Sequence, residues 1–291
     1  MAQAALRRPE NAAGDFFVDT TCIDCDTCRW MAPSVFARRG PMSAVAHQPQ
    51  GASERRAALH ALLSCPTASI GTTAKAPDLA VAQREFPIPI VGDVFHCGYH
   101  SPDSFGAASY FIRRPGGNVL IDSPRFTAPL VRQLDEMGGV AWMLLTHRDD
   151  VADHDKFATH FGLRRVIHAR DAGGVDAETV LEGDNAAQIL PGLMAIPTPG
   201  HTAGHMVFLW AQSGGVLFTG DHLAYDDEAG HLEAWPDVCW HDWGAQTASM
   251  RRLTDIDFEW VLPGHGRRVH LDEPTMKREL LRLLAWMTSQ A

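Results

Sequence analysis

Cys22, Cys25 and Cys28 share one short turn, and Cys65 follows far downstream with Pro66 directly behind it. Three thiolates spaced in this way can grip three irons of a cubane cluster, and a distant fourth closes it. Zinc is the alternative occupant. It is usually held by separated Cys-x-x-Cys pairs, and a three-cysteine run crowds a single tetrahedral ion. Disulfides are a poor reading for a chain expected in the cytoplasm, where thiols are kept reduced. Cys97 and Cys239 stand alone and read as small hydrophobes.

A second set of chemistry-bearing residues lies in the later two thirds of the chain. Thr146-His147-Arg148-Asp149-Asp150-Val151-Ala152-Asp153-His154 contains five potential ligands. Pro199-Gly200-His201, with His205 just after, Gly220-Asp221 and Gly264-His265 add three histidines and a carboxylate at glycine-bracketed turns. Glycine lets the backbone approach closely and leaves a neighbouring side chain unscreened. Imidazoles and carboxylates drawn from several loops suit a pair of divalent ions, one carboxylate bridging. Asp149 or Asp150 could instead cap the helix that follows, and Asp150 is assigned to capping or surface duty. His96, His100, His222, His241 and His270 read as structural or surface residues, though His222, next to Asp221, could line the pocket.

The elements that must position these groups follow from hydrophobic period. Val119–Ile121, Trp142–Leu145, Val166–His168, Leu193–Ile196, Met206–Trp210, Val216–Phe218 and Trp260–Leu262 read as strands. Helical spacing predicts Glu54–Leu63, Pro129–Met137, Val151–Phe161, Gln246–Leu253 and an amphipathic closing helix over Glu273–Met287. His147, His201, Asp221 and His265 each follow a strand. That placement calls for an α/β or αββα sandwich with its site on one edge. The chain divides into a flexible arm at 1–14, a cysteine module at 15–75, a linker at 76–86 and a large domain at 87–291, the module and the large domain expected to have separate cores. Trp30 or Met31 is expected to cover whatever the cysteines hold.

A chain of 291 residues with 45% hydrophobic content can bury a sizeable core. Its formal net charge of −10 argues against nucleic acid or an anionic membrane as partner. No apolar run has the length of a spanning helix, and no leader is recognisable behind Arg7 and Arg8. A cytoplasmic protein is the expectation.

The run from Cys22 to Cys28, with Pro33, Phe36, Cys65-Pro66 and Ile70, resembles the single-cluster bacterial-type ferredoxins. The resemblance implies one 4Fe–4S cluster on Cys22, Cys25, Cys28 and Cys65. The histidine and aspartate motifs, with Leu120-Ile121-Asp122, resemble the metallo-β-lactamase superfamily, and its glyoxalase II-like hydrolases in particular. That resemblance implies an αββα sandwich fused to the small ferredoxin-like domain. His147 and His201 would hold a first ion, Asp153, His154 and His265 a second, and Asp221 would bridge. Asp153 and His205 would take part in catalysis, His205 in a supporting role. The family pattern His-x-His-x-Asp-His is altered here: Asp149 occupies the second histidine position, and two extra residues precede Asp153-His154. A carboxylate at that position is a harder ligand and favours iron or manganese over zinc.

Two functions remain open on this reading. One is metal-dependent hydrolysis of a small ester, thioester or lactone. The other is a non-haem iron oxidoreductase fed by its own ferredoxin domain or a redox partner. A non-catalytic electron carrier is the third and weakest option.

Overall fold

The structure is a computed structural model describing residues 2–290. Two sheets stack face to face. One has seven strands in the order 179–181, 164–168, 142–144, 119–121, 110–112, 94–96 and 88–91. The other has six, in the order 187–190, 193–197, 206–210, 216–220, 260–263 and 269–270.

Side chains alternate across each strand, so one strand serves two cores. Val119, Ile121 and Leu144 meet Phe208, Phe218 and Leu262 between the sheets. Leu120, Met143 and Leu145 point the other way, onto Leu130, Leu134 and Phe157 of helices Ala128–Glu136 and His154–Phe161. Val207, Leu217 and Val261 pack in turn on helices Trp243–Leu253 and Glu273–Ser289 through Met250, Leu280 and Leu283. The result is the expected αββα sandwich. Among the described residues no helix is long and apolar enough to cross a membrane.

Strands Val119–Ile121, Trp142–Leu144 and Arg164–His168 run parallel, with a helix in each crossover. Their carboxyl ends therefore share one edge, where loops collect in α/β sheets. His147 leaves from the middle strand of this set.

Three expectations are corrected. Residues 76–86 are not a free linker: helix Leu79–Arg84 forms there, Arg55 bonds to Asp78, and Phe86 is buried. The stretch 2–14 is packed rather than loose. Arg8 is buried and donates to the Ser43 and Arg39 carbonyls, and Asn11 bonds to Val18 and Val45. Nor are the cores separate. Phe16, Leu59 and Phe36 of the small module belong to the same apolar cluster as Leu120 and Leu130. A chain segment too short to form an adequate core alone gains by sharing one.

Candidate metal centre and cysteine cavity

Strand Trp142–Leu144 delivers Thr146 and His147 to the sandwich edge. Loop 200–205 supplies His201, strand Val216–Gly220 ends on Asp221, and strand Trp260–Pro263 ends beside His265. His147, His201 and Asp221 bring one ligand atom each to within 4.8 Å of one another. Asp150, Asp221 and His265 form a second such set, and Asp221 belongs to both. From Asp221 Oδ2 the distances are 3.5 Å to His201 Nε2, 3.7 Å to His147 Nε2 and 3.8 Å to His265 Nε2. Asp149 Oδ2 faces the first set at 3.7 Å from His201 and 3.9 Å from His147.

The donor atoms are suited to cations. Nε2 of His147 and of His201, Oδ1 of Asp221 and Oδ2 of Asp150 are buried and have no hydrogen-bond partner. Unpaired buried polar atoms are costly, and here they converge where positive charge would satisfy them. Burial pushes the Asp150 carboxyl far up, and the nearby Asp221 and Asp122 charges push it the same way. Burial raises Asp221 too, but the His265, His147 and His201 imidazoles outweigh it and hold that carboxyl low. Burial lowers His147 to about 4, so its imidazole is neutral and free to ligate.

Supporting contacts fix the rings. Asp122 accepts from the Thr146 amide at 2.7 Å and from the Thr146 hydroxyl, which lies 2.9 Å from His147 Nδ1. Gly220, at φ +47, lets that strand approach: a methyl group there would sit 2.6 Å from Thr146 Oγ1. Such outer contacts set the tautomer and orientation of a ligating imidazole.

The structure redraws the inserted motif. Asp153 does not reach the site. Its Oδ2 accepts from the Phe126 amide at 2.7 Å and its Oδ1 from Lys156 at 2.6 Å. His154 faces Arg165 at 3.0 Å and opens helix His154–Phe161. The two extra residues carry the chain beyond the strand end, so Asp153-His154 falls on the helix rather than the edge. Asp150, read as a cap or surface residue, stands in the second set instead. His205 is buried behind the centre: Nδ1 lies 2.9 Å from Thr198 Oγ1, and Nε2 accepts from the Asp221 amide at 3.2 Å. With both nitrogens occupied it positions Asp221 rather than reaching a substrate.

Asp171 had no sequence signal. It is buried and ties two ligand loops together, accepting from the Arg148 amide at 3.2 Å, the Gly204 amide at 2.8 Å and the Thr202 hydroxyl. His222 is buried with neither ring nitrogen bonded.

Cys22, Cys25, Cys28 and Cys65 are all free and line one cavity with Val18, Ile23 and Ile70. Asp24 and Asp26, both at positive φ, turn the chain between the first three. Among the described residues no three of the sulfurs lie within 4.8 Å of one another. Backbone amides of Asp24 and Ser69 donate to the Cys22 and Cys65 sulfurs at 3.5 and 3.3 Å. Burial, with repulsion from the neighbouring sulfurs, pushes the Cys25 thiol up to about 11. Thiolates there need a cationic core. Trp30 lies against His96 and His100, at centroid separations of 5.2 and 6.0 Å, not in the cavity lining.

One cleft of about 810 Å³ joins the two features: Cys25 lines it together with Asp149, Asp150, His201, Asp221 and His265. That volume is of small-molecule size.

A two-sheet sandwich whose ligands gather at strand ends defines a class of metal-binding αββα proteins. Residues 97–284 match the metallo-β-lactamase superfamily, and the chain belongs to it. Residues 18–72 match the 4Fe–4S single cluster domain of ferredoxin I. Among relatives, a hydroxyacylglutathione hydrolase of Chelativorans sp. is 29% identical over 50% of this chain and 56% of its own length. The thioesterase pkgB of Emericella nidulans is 28% identical over 55% and 46%. The chain thus spans about half the length of these curated relatives. The fold is similar to the DIM-1 metallo-β-lactamase exposed to ceftazidime, with a TM-score of 0.54, 17% identity, and coverage of 68% of this chain and 95% of that one.

Proposed function

We propose that the protein is a metal-dependent hydrolase of a small ester, thioester or lactone, carrying a 4Fe–4S cluster on Cys22, Cys25, Cys28 and Cys65. The supporting observation is the convergence of unpartnered buried atoms from His147, His201, Asp221 and Asp150, the last three lining one cleft. His147, His201 and Asp149 would hold one ion, Asp150 and His265 the other, with Asp221 shared. When bound, the ions supply Lewis acidity and lower the pKa of water. The chain's own residues do the rest. Asp122 and Thr146 hold the His147 ring, and the His205 ring holds the Asp221 backbone. Asp171 keeps the His147 and His201 loops in register. The relatives' hydroxyacylglutathione hydrolase and thioesterase names favour carboxylic ester or thioester cleavage.

A second reading, iron oxidoreduction, draws on two observations. Asp149 stands where an imidazole is expected, and Cys25 opens onto the same cleft. Metal analysis of protein purified without oxygen separates the two. Zinc in the histidine–aspartate site with esterase or thioesterase turnover supports hydrolysis. Iron there, with no turnover of any ester, thioester or lactone tried, overturns it.

A further inference from the structure

The cleft is built by both modules, and its walls differ from its floor. Phe105 and Trp240 are 56% and 61% exposed, unusual for large aromatic side chains, and both line the cleft. The Phe105 ring lies 6.2 Å from that of His265, and the Trp240 ring 6.2 Å from that of His201. Two exposed aromatic faces therefore stand beside the metal ligands, one against His265 and one against His201, and Val238 is exposed in the same lining. Apolar surface left open beside reactive groups marks a binding site.

Phe105 is placed by the cysteine module. It sits at φ +46, followed by Gly106 at φ +89. A methyl group on Gly106 would lie 2.8 Å from Cys25 Cβ and 3.0 Å from its sulfur. The Gly106 carbonyl accepts from His100 at 2.7 Å and from Thr27, two residues beyond Cys25, at 3.4 Å. The turn that presents Phe105 is thus pressed onto the Cys25 loop and tied to it.

Outside the metal ligands, whose carboxylates the ions would offset, charge in the cleft is one-sided. Among the described residues Arg29 is the single arginine lining it, and it is committed to Asp24, Asp26 and the Ser43 hydroxyl. Asp103 and Asp237 are exposed at the lining, and among the described residues neither makes an ion pair. Lys156, whose charge Asp103 favours, is bonded to Asp153. Four thiolates also outweigh the charge of a cubane core, so a cluster at Cys25 adds negative charge to the same wall.

We propose that the cysteine module forms one wall of the substrate cleft, and that the cleft takes compounds with an apolar body and a neutral or cationic remainder. Thioesters of anionic carriers are then disfavoured, in contrast to the glutathione thioesters that the relatives' names imply. The inference rests on the hydrolytic reading only for what the bound compound undergoes. Its test reads binding, so the two can fail separately.

The experiment titrates holoprotein with three probes sharing one body: 4-phenylbutyltrimethylammonium, 4-phenylbutanol and 4-phenylbutanesulfonate, followed by quenching of tryptophan fluorescence. At low salt the ammonium and the alcohol are expected to bind about tenfold or more tightly than the sulfonate, with the gap closing as salt is added. Asp103→Asn with Asp237→Asn narrows the gap, and Phe105→Ala weakens all three probes alike. One-electron reduction of the cluster by dithionite, monitored by its absorbance, widens the ratio of ammonium to sulfonate affinity. Sulfonate binding as tight as the ammonium overturns the charge preference. A ratio indifferent to cluster reduction, together with unchanged binding in Phe105→Ala, overturns the wall. Binding as expected without ester turnover leaves the cleft assignment standing and removes the hydrolase.

Discussion

Asp150 and Asp221 face one another across Gly264, where a methyl group would lie 2.8 Å from Asp150 Oδ2 and from Asp221 Oδ1. Neither oxygen has a protein partner. Two buried carboxylates in this relationship repel unless a cation stands between them or one is protonated. Asp150→Asn should therefore lower metal occupancy of the second site by about 10- to 100-fold, read by metal analysis after dialysis. Asp153→Asn should leave metal content unchanged. Equal loss in both variants would restore Asp153 to the site and remove Asp150.

The Asp122–Thr146–His147 chain makes a separate claim about orientation. Thr146→Val removes the hydroxyl between the carboxylate and His147 Nδ1 while keeping side-chain volume. Metal affinity at the first site should fall by about tenfold or more, because the ring loses the contact that fixes its tautomer. Competition with a chelating dye measures it, and unchanged affinity would demote the chain to structural packing.

Cysteine chemistry gives a third expectation. Anaerobically purified protein should be brown, absorb broadly at roughly 400 nm and contain acid-labile sulfide. Cys25→Ser should lose all three. Colourless protein with stoichiometric zinc and no sulfide would contradict the cluster.

The shared core predicts coupled stability. Leu59 is buried among residues of both modules, and Leu59→Ala should cost about 2–5 kcal/mol in a single unfolding transition. Two resolved calorimetric transitions, only the first of them shifted, would show that the modules unfold separately after all.

Acid stability should follow the buried histidines. Burial lowers His100 from 6.5 to about 3, the neutral ring donating to the Gly106 carbonyl. The unfolded chain then binds a proton that the folded one refuses, so stability rises with pH through this window. The contribution is full above about 6.5 and is lost progressively as pH falls toward about 3. His100→Gln should flatten the decline in melting temperature between pH 6.5 and 4. A slope identical to that of the parent protein would exclude His100 as a cause.

Much was legible before the fold was known, because it depends on local pattern. The strands Val119–Ile121 and Met206–Trp210 match their predicted spans, and helix Gly51–Ser64 contains the one expected over 54–63. Helix His154–Phe161 begins three residues later than its period suggested, since Asp153 is drawn to the Phe126 amide. Strands Val94–His96 and Tyr110–Ile112 were not read, being three residues each and too short to show an alternating period.

The ligand types, their attachment to strand ends and the four-cysteine cavity were written in residue spacing. Spacing along a chain counts peptide units but not where a turn releases them. Which of Asp149, Asp150, Asp153 and His154 meets His147 therefore depended on where the strand stopped and the helix began. Tertiary packing decided that, and it alone brought Asp171 beneath two ligand loops and Cys25 into the cleft of Asp221. These relationships join residues far apart in sequence, and only the stacking of the two sheets and the core they share with the small module supplies them.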